Sequence, residues 1–120
     1  HFEAPLTIAR AVLFGDAALA PNGAPRVGVV TIAKKDLAAG EVIDDIGGFA
    51  SYAEADNMES IVANNLLPMG LASGARLKRS VTRDTPLTFA DVDLPSERLI
   101  DRLYKEQAEY FGLTRTGISV

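Results

Sequence analysis

A cluster of basic residues is the stretch of the sequence best suited to binding chemistry. Arg76, Lys78, Arg79 and Arg83 lie within eight positions of a chain whose net charge is −4. An arginine can hold a carboxylate or a phosphate through two parallel hydrogen bonds. We therefore predict a small-anion site at Arg76, Lys78 and Arg79. The alternative is a solvated strand whose cations pair with nearby Asp and Glu side chains.

The sequence contains no complete set of catalytic or metal-binding residues. There is no cysteine, and the single histidine, His1, has no neighbouring ligands. Neither a Ser–His or Cys–His nucleophile pair nor a histidine-based metal site can be assembled. No P-loop or dinucleotide fingerprint is present. We predict no catalytic, cofactor-binding or metal-binding residue on this chain.

Length and composition fit one folded domain. The chain has 120 residues, of which 48% are hydrophobic and 23% charged, as in globular proteins. The acidic balance argues against nucleic acid as a partner, and no apolar run approaches the roughly 20 residues of a membrane span. The absence of cysteine and of a signal peptide fits a cytoplasmic protein. Because the chain opens without methionine, we expect it to be part of a longer polypeptide.

Three segments are expected to position these residues: an N-terminal helix and linker (1–26), a β domain (27–93), and a C-terminal amphipathic helix and tail (94–120). The helix Pro5–Phe14 is apolar around most of its circumference, so we expect it to be buried against a partner surface. A turn-rich linker follows it.

The C-terminal helix is expected to begin near Pro95 and to stop at Gly112. One face of it carries apolar residues at three- and four-residue spacing, which is typical of a core or interface stripe. These residues are Leu99, Ile100, Leu103, Tyr104, Ala108 and Phe111.

The β domain contains a repeated unit. A strand Val27–Ala33 is favoured by β-branched residues, and the turn and short strand that follow it return 44 residues later. Leu37 corresponds to Val81, and Gly40 to Asp84. We expect Leu37 and Ile43 in the core, and two pseudo-symmetric units. Between the units, a strand Phe49–Tyr52, a helix capped by Asp56 that extends to Leu66, and a loop at 67–74 are predicted.

The repeat resembles a known family. Ala33-Lys34-Lys35-Asp36-Leu37-Ala38-Ala39-Gly40-Glu41-Val42-Ile43 is similar to the opening signature of the SAF domain, and the stretch from Leu66-Leu67-Pro68-Met69-Gly70 to Leu77-Lys78-Arg79-Ser80-Val81 resembles its second half. This resemblance implies a β-clip fold over about residues 27–93, mainly β with short helices (α+β), in which pseudo-symmetric β units wrap around short helical turns. The same fold serves many roles, so the motif alone does not define a function.

The flanking segments narrow the resemblance. His1–Arg10, Leu13–Asp16, Gly47–Phe49 and Leu66–Leu71 resemble the C-terminal region of homoserine-dehydrogenase-like, NAD(P)-dependent oxidoreductases. That likeness implies a Rossmann domain upstream, which would hold NAD(P) and the catalytic residues; none of them is transferred to this chain.

The leading hypothesis is a non-catalytic SAF module that supports the catalytic domain of the same polypeptide or a homo-oligomer. In that case the parent protein, rather than this chain, is the enzyme. The first alternative is a stand-alone binding module for a sugar acid or another small anion. An ice-binding surface is a second alternative; it should be flat and poor in charge, whereas the second unit is rich in Lys and Arg.

Overall fold

A computed structural model describes residues 2–113; His1 and the predicted C-terminal tail, residues 114–120, lie outside the described residues. The elements, in order, are α1 (Ala4–Phe14), β1 (Val27–Ala33), β2 (Ser51–Asn57), α2 (Met58–Ala63), α3 (Met69–Ala72), β3 (Arg76–Leu77), a 3-10 turn (Phe89–Asp91), β4 (Val92–Asp93) and α4 (Leu99–Tyr110). β1 pairs with β2 and β3 with β4, both antiparallel. The predicted mixed α+β class is confirmed.

Strand β1 is the central strand of the domain, and its predicted bounds are confirmed. Its residues Val30 to Ala33 are buried, and one of its edges pairs with β2 along the whole strand. On the other edge, the Thr31 N–H donates to the Leu67 carbonyl over 3.0 Å, and the Thr31 hydroxyl donates to the same oxygen over 2.9 Å. The buried half of β1 is therefore hydrogen-bonded on both edges, as buried backbone requires.

The two copies of the repeated unit are joined by backbone hydrogen bonds. Leu37 and Val81 donate to each other's carbonyl oxygen, over 2.9 Å in both directions. The bonds on either side of this pair correspond to one another at the same offset of 44 residues. The Asp84 N–H donates to the Ala33 carbonyl (2.8 Å), and the corresponding Gly40 N–H donates to the Leu77 carbonyl (2.7 Å). In the same way, the Leu87 N–H donates to the Thr31 carbonyl (2.9 Å), and the Ile43 N–H donates to the Ala75 carbonyl (2.9 Å).

Side-chain burial follows the repeat. Leu37 and Ile43 are buried, as predicted, and so are their counterparts Val81 and Leu87. Asp84 takes the place of Gly40 in the second copy and keeps its left-handed conformation, with φ of 60° against 84°. An aspartate tolerates this conformation better than most residues do. The shared turn shape therefore survives the loss of the glycine.

The segment between the copies differs from its prediction in three places. β2 continues to Asn57, so α2 begins at Met58 and ends at Ala63, well before Leu66. The Asp56 carboxylate does not cap this helix; it accepts the Asn57 N–H and the Ser60 hydroxyl, each over 2.7 Å. The loop predicted after Leu66 contains the short helix α3, which begins after Pro68. Pairing of β2 with β1 overrides the local capping signal.

Strand β2 also begins later than predicted. The first strand residue is Ser51, which is buried, whereas Phe49 is exposed. The two residues therefore do not share a face of a strand. The Asp44 carboxylate holds the chain before β2 in a loop, because it accepts the N–H groups of Phe49 (2.6 Å) and Ala50 (3.1 Å).

The terminal helices have nearly the predicted extent. Gly15 follows the last residue of α1 as its C-cap, and Gly112 follows the end of α4; both glycines have positive φ. Pro95 precedes α4 rather than opening it, because Arg98 is the N-cap. None of the residues of α1 is buried within the described chain, so its expected burial against a partner surface stays a prediction. Within residues 2–113 no helix has both the length and the apolar character to cross a membrane.

Gly48 is expected to be required by the Asp44 loop. A Cβ atom at Gly48 would lie 2.3 Å from the Asp44 carboxylate, so Gly48→Ala displaces the acceptor of two backbone N–H groups. We expect a loss of about 1–3 kcal/mol in the free energy of unfolding, measured by urea denaturation. Gly70→Ala is the control, because open space surrounds Gly70 in α3; its effect should stay within about 1 kcal/mol. Equal stabilities of the two variants would contradict this role of Gly48.

Candidate functional site

The three predicted anion-binding residues lie on β3 and in the turn that follows it, and each is exposed. Arg76 donates from Nη1 to the Gly40 carbonyl over 2.8 Å. The Lys78 Nζ pairs with Asp93 over 3.2 Å, and Arg79 pairs with Asp91. The three cations are thus engaged by three different elements, and an incoming anion would compete with these partners. Their role as an anion site stays a prediction.

Arg79 is tied to the most buried carboxylate of the described residues. Asp91 is only 2% exposed, and its Oδ2 accepts the Thr88 N–H (2.9 Å) and the Thr88 hydroxyl (2.8 Å). Burial raises the pKa of Asp91, but the hydrogen bonds donated by Arg79 and Thr88 outweigh it and hold that pKa below its usual range. The ionised carboxylate closes a capping box on the 3-10 turn, so Arg79 has a structural partner.

The structure reveals a cavity that the sequence did not indicate. It has a volume of about 450 Å³ and lies between α4 and the β domain. Lys78 stands at its edge, whereas Arg76 and Arg79 are not among the described residues that line it. Its walls are mainly apolar, and include Leu66, Leu71, Phe89, Val92, Leu94 and Tyr104. Tyr104 and Ala108 of the predicted apolar stripe of α4 line the cavity, whereas Leu99, Ile100 and Leu103 of the same stripe are exposed.

The position of α4 over this cavity is set at its N-terminal end. Arg98 donates to the Asp101 carboxylate (2.7 and 2.8 Å), to the Ser73 carbonyl (2.8 Å) and to the Leu71 carbonyl (3.0 Å). One guanidinium thus ties the start of α4 to the end of α3. One turn further along, the ring of Tyr104 lies 6.2 Å from the ring of Phe89. The cavity lies along the part of α4 that follows this anchor.

A second surface is formed by α1. Five of its large apolar side chains are more than 60% exposed: Leu6, Ile8, Val12, Leu13 and Phe14. Arg10 is the only charged residue of the helix, and it pairs with Asp16 beyond the helix end. Exposed apolar side chains in this number on one helix are typical of a docking site rather than of a solvated helix.

The part of the chain that the structure describes contains no group of three or more His, Cys, Asp or Glu side chains arranged to hold a metal ion. Beside the predicted anion-binding residues, the α1 surface and the cavity below α4 are candidate functional features. Together they describe a small α+β module of the binding or supporting class.

Comparison with known families agrees with this class. A family model described as the SAF domain matches residues 28–93, which is more than half of the chain. The chain therefore belongs to the SAF domain family, and the resemblance seen in residues 33–43 is confirmed at the level of the family. No curated protein was found to match the chain.

The Asp91 carboxylate is expected to contribute to stability in a pH-dependent manner. Asp91→Asn removes the charge that faces Arg79 and places an amide donor among donors, so we expect a loss of about 1–3 kcal/mol at neutral pH. Because the pKa of Asp91 is lowered in the folded protein, its contribution is present above the ordinary value of 3.8 and is lost as the pH falls through the lowered value. Denaturation curves from pH 7 to 3 measure this difference.

Asp93→Asn is the matched control, because Asp93 is exposed and its pair with Lys78 lies at the surface. Its effect should remain below about 1 kcal/mol at any pH. Similar losses in the two variants, or an Asp91→Asn effect that does not shrink in acid, would contradict the assignment.

Proposed function

We propose that the chain is a non-catalytic SAF module that supports a cytoplasmic, homoserine-dehydrogenase-like, NAD(P)-dependent oxidoreductase. In this role it packs against the catalytic domain of the same polypeptide or against its oligomer. The proposed architecture is a pseudo-symmetric β-clip; support comes from the backbone hydrogen bonds that correspond at an offset of 44 residues. The flanking motifs around Leu13 and Leu66 support the oxidoreductase context.

The observation that carries this proposal is the exposure of α1. The helix has eleven residues, and none of them is buried. Apolar area gains roughly 25 cal/mol per Å² when it leaves water, so this surface favours association. Leu6 and Leu13 lie on one side of the helix and Ile8 and Val12 on another, by the 3.6-residue period. A partner that covers both sides would enclose the helix rather than touch one stripe.

Binding of a nicotinamide cofactor tests the parent class. The full-length gene product should bind NADH or NADPH in a saturable manner, whereas residues 1–120 alone should not, since no dinucleotide fingerprint is present in them. Fluorescence of the reduced cofactor or calorimetry measures both. Absence of binding by the intact protein would overturn the oxidoreductase context.

A substitution in α1 tests the docking role. Leu13→Asp in the full-length protein places a charge on the apolar side of α1 and should lower the melting temperature or dissociate the oligomer, because an unpaired charge is costly at a buried interface. Thr7→Asp is the control, since a carboxylate at this position stands three residues from Arg10 and can pair with it. Differential scanning fluorimetry and sedimentation detect the two effects. Unchanged behaviour of the Leu13→Asp variant would contradict docking through α1.

The alternative is a binding module for a sugar acid or another small anion, with Arg76, Lys78 and Arg79 as its cations. Its support is the position of Lys78 at the edge of a cavity. Calorimetry with gluconate and galacturonate distinguishes the two functions, because the supporting role requires no affinity of the isolated chain. If an anion binds, Lys78→Met should weaken it about tenfold or more, the loss expected for one charged hydrogen bond; Lys34→Met is the control.

A further inference from the structure

We propose that the cavity beneath α4 binds a small zwitterion with an apolar body, of the kind that an α-amino acid with an aliphatic or aromatic side chain represents. The inference does not rest on the supporting role or on the identity of the parent enzyme. It rests on the size of the cavity, on its apolar walls and on the charges at its rim.

The interior of the cavity fits the apolar body of such a ligand. Its volume of about 450 Å³ lies within the range of roughly 300–1,000 Å³ that small-molecule sites span. Leu71 and Val92 of the buried core form its floor, and the rings of Phe89 and Tyr104 stand beside it. Apolar walls of this kind favour a hydrocarbon or an aromatic group over a sugar.

The charges at the rim fit the head of such a ligand. Five charged side chains line the cavity, and three of them are already compensated. Lys78 and Asp93 pair with each other, and Asp101 is held by Arg98. The two that remain are Lys105 and Glu109, which form no ion pair within residues 2–113. One cation and one anion are thus left on the same rim.

A ligand would have little to displace at these two residues. A lysine that precedes a glutamate by four positions on a helix forms the weaker of the two possible pairs, because each charge opposes the helix dipole. Lys105 can then take the carboxylate of a zwitterion and Glu109 its ammonium group, as electrostatic complementarity requires. An anion alone would leave Glu109 unmatched, and an amine alone would leave Lys105 unmatched.

The phenol of Tyr104 adds a neutral donor to the same rim. Burial raises the pKa of Tyr104, so its hydroxyl is protonated at neutral pH. The described part of the chain supplies no hydrogen-bond partner for this hydroxyl, whereas the hydroxyl of Tyr52 donates to Asp84 over 3.2 Å. A ligand carboxylate next to Lys105 would offer this hydroxyl an acceptor in place of solvent.

Titration of the chain with L-phenylalanine, by calorimetry or by NMR shifts of the α4 amides, tests the proposal. We expect saturable binding. Two analogues that lack one charge, 3-phenylpropanoate and 2-phenylethylamine, should each bind about tenfold more weakly or worse, since each loses a charged hydrogen bond. L-Serine, which keeps the head and lacks the apolar body, should not bind.

Variants on α4 locate the site. Lys105→Met and Glu109→Gln should each weaken L-phenylalanine binding about tenfold, and Ala108→Leu should reduce it by filling the cavity that Ala108 lines. Arg102→Met and Glu106→Gln are matched controls, because these two residues form an exposed pair on the same helix with the same order of charges and do not line the cavity. They should leave the affinity unchanged, and circular dichroism checks that every variant keeps its helices.

Three results would overturn the proposal. The first is no saturable binding of L-phenylalanine up to about 10 mM, which lies beyond any useful affinity. The second is equal binding of 3-phenylpropanoate, which would make the cavity an anion site. The third is an equal loss of affinity in the Arg102→Met and Glu106→Gln controls, which would assign the effect to the charge of α4 as a whole.

Discussion

The mutual backbone hydrogen bonds of Leu37 and Val81 fix how the two copies of the repeated unit pair with each other. They join two turns that are 44 residues apart, and both side chains are buried beside them. A shift of this pairing by one residue would turn both side chains out of the core and leave buried N–H groups without acceptors. The backbone hydrogen bonds that Gly40 and Asp84 donate continue the same register on either side of this pair. Burial and register are therefore fixed together.

The two copies differ mainly in how they use their cations. In the first copy, Lys35 pairs with Glu41 over 2.8 Å inside its own turn, and the pair lies at the surface. In the second copy, Arg79 occupies the matching position and reaches Asp91, a buried carboxylate of the following element. A surface pair contributes little to stability, whereas a buried carboxylate must be matched. The basic surplus of the second copy thus serves the fold at Arg79 before it can serve a ligand.

Local sequence patterns predicted the features that depend on neighbouring residues. β-Branched residues predicted the bounds of β1, and the spacing of the turn predicted that Leu37 faces the core. The helix ends next to Gly15 and Gly112 were predicted because glycine readily adopts a positive φ. Long-range pairing decided the rest. The extension of β2 to Asn57 depends on its pairing with β1, so the capping signal at Asp56 was misleading. The partner of Arg79 lies twelve residues away, and the cavity exists only once α4 is placed.

The placement of α4 depends on both local and long-range contacts. The guanidinium of Arg98 binds the carbonyl groups of Leu71 and Ser73 as well as the carboxylate of Asp101, so the helix is held by polar bonds at one end. Further along the helix from Arg98, Leu103 is exposed, whereas the ring of Tyr104 packs against the ring of Phe89. A helix that is fixed at one end and packed on few apolar residues leaves a space beneath it, since close packing would need a larger stripe. The two helices thus form separate surfaces: α1 exposes large apolar side chains, and α4 forms one wall of a cavity.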